Sequence, residues 1–157
     1  MATPAPGGMD LATLIKSMSP SLHPATFVWA TVPSSKHSVL QQALLHAEML
    51  FREDEGFTFI STQDHVQELG LDFTFPCRKI TLNVHSSLEA YGFLAAVAER
   101  LTRMKLGCNC VAGYFHDHIF VPVGKEDVVL SQLQAMAEEQ RMLRDSVGSR
   151  EPIMQMV

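Results

Sequence analysis

Apolar residues recur along this chain in two periods, and the switches between them mark out its elements. In "MDLATLIKSM", Leu11, Leu14, Ile15 and Met18 fall on one face at helical spacing, with Asp10 at the N-cap position. Pro20 and Pro24 bracket a loop, and "TFVWATV" (26–32) then reads as a buried strand ended by Pro33. "HSVLQQALLHAEML" returns to the helical period through Val39, Leu40, Ala43, Leu44 and Ala47. "MLFREDEGFTFIS" has two apolar arms around a charged tip with Gly56, which predicts a hairpin. "STQDHVQELG" predicts a short helix capped by Ser61, with Asp64 at the capping-box position and Gly70 as the stop. "LDFTF" is a candidate closing strand.

The second half is more sharply punctuated. "RKITLNVH" (78–85) alternates, with Ile80, Leu82 and Val84 on one side and Lys79, Thr81, Asn83 and His85 on the other. "SSLE" (86–89) fits a capping box, with Ser86 accepting from the Glu89 amide, and predicts a helix ended by Gly107. Its apolar face would carry Leu88, Tyr91, Leu94, Ala95, Ala98 and Leu101. "CNCVAGYF" and "HIFVPV" read as two strands, and "KEDVVLSQLQAMAEEQRMLRD" as a long final helix.

Each half therefore spells a version of β-α-β-β-α, which predicts an α+β protein of two tandem ferredoxin-like βαββαβ units. The expected organisation is a disordered stretch over 1–9, a first unit over 10–76, a second over 77–145 and a tail over 146–157. The second unit lacks an evident last strand. Either "EPIMQMV" or an N-terminal segment could supply it.

Composition narrows the class of function. With 46% hydrophobic and 18% charged residues, the 157-residue chain has a globular balance. Its formal net charge is −5 and its twelve Lys and Arg are scattered, so no basic stripe for nucleic acid is present. Three cysteines make a disulfide framework improbable and favour reduced thiols. "MATPAPGGMD" carries no basic and apolar leader pattern, and "FLAAVA" is far too short to span a membrane, so a cytoplasmic protein is expected.

Three stretches bear candidate chemistry. In "AGYFHDHIFVP" (112–122), His116, Asp117 and His118 could form a metal or catalytic tip, or a two-residue turn at His116-Asp117. His and Asp tolerate the positive φ that such a turn needs, and H-x-H alone supplies too few metal ligands. The turn is therefore the expectation, with no cofactor. "CNC" puts Cys108 and Cys110 on one face of a strand, where small buried thiols are expected. "NVHSSLEAYG" (83–92) ends a strand and opens a helix, whose first amides would suit the carboxylate of a small metabolite.

The run "ITLNVHSSLEAYGFLAAV", the pair "GCNCVAGYFHDHIFVP", and "LHPATFVWATV" with "FREDEGFTFI" resemble the small tandem-ACT proteins of bacteria and fungi. These are similar to the ACT modules of aspartate kinases and of arginine-sensing regulators of TOR signalling. The resemblance implies an amino-acid or similar effector bound where two units meet. It points to His85, Ser86, Ser87 and Leu88 in the loop after the strand, and to Asn109, Cys110 and Val111 on the facing strand. Tyr91 departs from the family's "SSLEAVG" loop and could narrow such a pocket.

The expected function is thus a non-catalytic, small-molecule-binding regulator, able to form a homodimer or to act on a separate partner protein, with neither nucleic acid nor membrane involved. An adaptor with an empty groove is the alternative. A metal-dependent enzyme at His116-Asp117-His118 ranks third.

Overall fold

A computed structural model describes residues 7–148. The first six residues and 149–157, with the "EPIMQMV" stretch, lie outside the described residues. Eleven elements follow in order: α1 (Leu11–Ser17), β1 (Ser21–Val32), α2 (His37–Leu44), β2 (Met49–Arg52), β3 (Phe57–Thr62), α3 (Gln63–Glu68), β4 (Phe73–Thr81), α4 (Phe93–Arg103), β5 (Asn109–Ala112), β6 (Asp117–Pro122) and α5 (Glu126–Gly148).

The six strands form one antiparallel sheet in the order β2-β3-β1-β4-β6-β5. The order β2-β3-β1-β4 is that of a ferredoxin-like unit. β6 and β5 extend the sheet beyond β4, and the strand on the other side of β4 is β1. An N-terminal segment thereby fills the place that the second half leaves open.

All five helices cover one face. α1, α4 and α5 bury Leu14, Val97, Leu101, Val129 and Leu133 against Ile80, Ile119 and Val121. α2 and α3 bury Ala43 and Val66 against Val28, Ala30 and Phe59. The opposite face carries Phe27, Ile60, Cys77 and Phe120, with Trp29 and Phe75 packed beside them. The edge-to-face contacts of Trp29 with Phe75 and Phe120 shield that layer without any helix over it. Lys79, almost buried here, stands 4.9 Å from the Phe27 ring and 2.8 Å from the Glu48 carboxylate.

Several elements differ from expectation. β1 begins at Ser21 and passes through Pro24, which falls where the register with β4 shifts. The strands expected on either side of Pro76 are one strand, β4, and a second register shift accommodates that proline. Proline donates no ladder bond, so it enters a central strand only at such irregularities. Ser61 does not cap α3. It is buried in β3, and its Oγ donates to the His46 carbonyl at 2.8 Å.

α4 starts at Phe93, seven residues after Ser86, so Leu88 and Tyr91 are exposed loop residues rather than members of its apolar face. Its stop is also earlier than Gly107. Lys105 adopts a left-handed φ of 58°, and the amides of Lys105 and Leu106 donate to the carbonyls of Thr102 and Leu101. That pair of bonds is a Schellman ending, with Lys105 in the position glycine usually takes. Gly7 and Gly8, expected to be disordered, lie against the loop after β4. The Gly8 amide donates to the His85 carbonyl and the Ser87 amide to the Gly8 carbonyl.

Candidate functional site

The loop 82–92 leaves β4, turns across the end of the sheet and delivers the chain to α4. Its first half is fixed from three directions. The Leu82 amide donates to the Asp117 carbonyl at 3.0 Å, Gly8 bridges His85 and Ser87, and Ser86 Oγ donates to Asp117 Oδ2 at 2.7 Å. Ser86 and Asp117 are both buried, so this charge-assisted bond is shielded from water. The Ser86 hydroxyl is thereby committed to Asp117 and cannot cap a helix, which is why the predicted capping box does not form. Ser87 makes a local turn, its Oγ accepting from the Glu89 amide at 3.2 Å.

The helix terminus expected at Ser86–Leu88 is instead supplied by Gly92, Phe93, Leu94 and Ala95. Gly92 is the N-cap at φ 88°, a backbone that glycine adopts without steric cost, and it provides no side-chain cap. The amides of Phe93, Leu94 and Ala95 fall in the first turn and have no partner within α4. These residues border a cavity of about 150 Å³, together with Ser86, Ser87, Leu88, Ala112 and Asp117. One wall is the positive end of an eleven-residue helix, and the other presents a buried carboxylate. Such a cavity has a place for a negative group and a place for a positive one.

Three of the seven residues expected at the site line this cavity. Ser86, Ser87 and Leu88 line it, whereas His85 does not and is set against Phe115, their rings 5.6 Å apart. Asn109, Cys110 and Val111 are on β5, at the outer edge of the sheet, and do not line the cavity. Cys110 pairs with Ile119 and shares its helix-covered side, whereas Val111 packs into the cluster on the open face. The strand touches the cavity through Ala112.

The His116-Asp117-His118 stretch is neither a two-residue turn nor a ligand cluster. The hairpin closes one step earlier, with the Gly113 amide donating to the His116 carbonyl at 3.0 Å across a four-residue loop, 113–116. Asp117 and His118 belong to β6, so alternation sends them to opposite faces. Asp117 meets Ser86. His118 Nδ1 meets Thr81 Oγ1 at 3.0 Å, and burial, with Lys79 nearby, holds its pKa below the usual histidine value. Among the described residues no group of three or more His, Cys, Asp or Glu could hold a metal ion.

Asp117 is the site residue that sequence reasoning read otherwise. Its signal was available, since a lone carboxylate at the head of the apolar run "HIFVP" must find a buried donor or leave the sheet.

Comparison with known proteins bears on this geometry. Residues 6–78 match the model of the ACT domain. The resemblance legible in the sequence is densest over the other half, where the cavity lies. A Vibrio cholerae protein described as of unknown function and a possible transport protein is 37% identical, with a TM-score of 0.70 over 81% of this chain and 95% of that one. The fold is shared more distantly with the regulatory subunit of aspartate kinase from Thermus thermophilus, at 10% identity and a TM-score of 0.61, covering 77% of this chain and 98% of that one. An Agrobacterium tumefaciens protein gives 12% identity and a TM-score of 0.60, over 76% and 89% of the two chains. No curated protein matches. No helix among the described residues is long and apolar enough to cross a membrane. ACT domains are in general regulatory modules that bind small molecules. The chain belongs to one family with the Vibrio cholerae protein and carries an ACT domain.

Proposed function

We propose that this protein is a non-catalytic regulator that binds a small amino acid in the cavity between the loop 82–92, the start of α4 and the head of β6. The observation that supports this reading most directly is the pairing of opposite electrostatic demands within one small space. The uncapped first turn of α4 suits an α-carboxylate, and Asp117 suits an α-ammonium group. Ser86 and Ser87 line the same cavity, and a volume of about 150 Å³ favours a short side chain. A two-unit organisation is part of the same reading, with β4 running through the expected boundary at Pro76 as the strand common to both units and the cavity in the second.

Asn109, Cys110 and Val111 join the site if a second chain pairs along β5. That strand is an edge without charged residues to block such pairing, and Leu88 at the cavity, Tyr91 in the same loop, and Tyr114 and Phe115 in the loop after β5 are exposed. The same exposed side chains support the second reading, an adaptor that uses this surface for a protein partner whether or not the cavity is filled.

A thermal-shift screen of the dialysed protein against the twenty amino acids tests the proposal. A ligand at about a hundred times its Kd stabilises by roughly 2.7 kcal/mol, a rise of roughly 5–10 °C for a chain of this size. The expected result is a rise with one or a few small amino acids, abolished in Ser87→Leu and in Asp117→Asn. A flat screen, or a rise that both variants retain, would overturn the assignment and favour the adaptor.

A further inference from the structure

Cys108 and Cys110 stand at the outer edge of the sheet with their sulfurs 4.0 Å apart. Cys110 is exposed and Cys108 half-buried, whereas Cys77 is buried on β4 beside Phe27 and Phe120, its thiol 3.1 Å from the Phe27 carbonyl. Neither thiol of the pair is buried, contrary to the expectation for "CNC". Two features of its position matter. Cys108 precedes Asn109, the first residue paired with β6, and follows the Schellman ending of α4, so it stands outside the ladder. Residues two apart on a strand have Cα atoms about 6.6–6.8 Å apart, at the upper limit of what a disulfide spans. An unpaired first residue can supply the small adjustment that the bond needs.

We propose that Cys108 and Cys110 form a dithiol site that exchanges with low-molecular-weight disulfides, Cys108 attacking and Cys110 resolving. The Cys108 thiolate displaces one thiolate from a disulfide R–S–S–R and forms a mixed disulfide with the remaining half. The Cys110 sulfur, giving up its proton, then attacks the Cys108 sulfur and releases the second half. Two protein thiols and one small disulfide become one protein disulfide and two small thiols. Two electrons pass from the protein pair to the reagent, and the two thiol protons end on the released thiols.

Cys108 stands outside the ladder while Cys110 is held in it opposite Ile119, and the asymmetry of the pair supports the same two roles. The hydrogen-bond contact between the two sulfurs lowers the Cys108 pKa to about 7, close to the optimum for an attacking thiol at neutral pH. Cys110 is shifted the other way, chiefly by that same hydrogen bond, with burial, Cys108 and Asp117 adding to it. Cys77 is pushed up to about 12 by burial and takes no part. Cys110 and Ala112 share one side of β5, and Ala112 lines the cavity beside Asp117, so the dithiol adjoins the site of the proposed function without depending on it.

Treating the native, full-length protein with glutathione disulfide and mapping peptides by mass spectrometry tests this. The expected products are an intramolecular Cys108–Cys110 disulfide in the wild type, a stable Cys108 mixed disulfide in Cys110→Ser, and no product in Cys108→Ser. The wild-type map stands even if a variant fails to fold. Reaction only after denaturation, a wild-type product that stops at the mixed disulfide, a bond joining two chains, or modification chiefly at Cys77 would each overturn the proposal.

Discussion

Ser86 Oγ and Asp117 Oδ2 meet at 2.7 Å across thirty-one residues of chain, and this bond ties the loop after β4 to the head of β6. Both side chains are buried. Replacing Ser86 with alanine removes the donor and leaves a buried carboxylate without its hydroxyl partner. The expected loss is about 1–3 kcal/mol, read as a lower midpoint in urea with an unchanged slope. A loss below a few tenths of a kcal/mol would show that water replaces the hydroxyl freely.

Stability is expected to fall on mild acidification through His118. Its folded pKa lies below the unfolded value of about 6.5, first because it is buried and then because Lys79 is near, with His116 adding to this and Glu48 and Asp117 opposing it. Below that unfolded value the unfolded chain binds more protons than the folded one, so stability is present above it and is lost as the pH falls. Urea midpoints at pH 7.5 and 5.5 should differ more for the wild type than for His118→Gln, which keeps a polar partner for Thr81. Equal pH dependence in the two would assign the effect elsewhere.

Lys105→Gly should stabilise the protein. The lysine holds a left-handed φ of 58° at the end of α4, and glycine removes that steric cost while giving back part of it as chain entropy. A net gain of about 0.5–1 kcal/mol corresponds to a rise in Tm of roughly 1–4 °C. A fall in Tm would mean that the lysine side chain makes a compensating contact.

Leu101→Ala should be the most damaging of these substitutions. Leu101 is fully buried where α4 meets α1, α5 and the sheet, and its loss leaves a cavity in the main core. A cost of about 2–5 kcal/mol is expected from denaturant titration. A cost under 1 kcal/mol would mean that α4 and α5 close the gap.

Much of the fold was legible because it follows local rules. Asp10 caps α1, its carboxylate 2.8 Å from the Thr13 amide, and the apolar stripe of α5 buries Val129 and Leu133 as its spacing predicts. What escaped depends on contacts between distant residues. Pro76 reads as a break, yet a register shift against β1 carries the strand through it. Ser86 reads as an N-cap, but Asp117 and Gly8 recruit the loop around it and delay the helix to Phe93. The helix terminus beside the cavity is Gly92–Ala95, not Ser86–Leu88, because α4 begins only at Phe93.

The central place of β1 and β4 has a kinetic consequence. Neither half of the chain can complete its share of the sheet until residues about fifty positions apart, such as Phe27 and Cys77, have met. Loop-closure entropy on that scale precedes the reward of pairing, so folding should be limited by the joining of the halves rather than by either helix-rich segment. A nascent chain released after Pro76 would hold an incomplete β4 and an uncovered β1. Its exposed strand is the point at which the unfinished molecule is most open to pairing with the wrong neighbour.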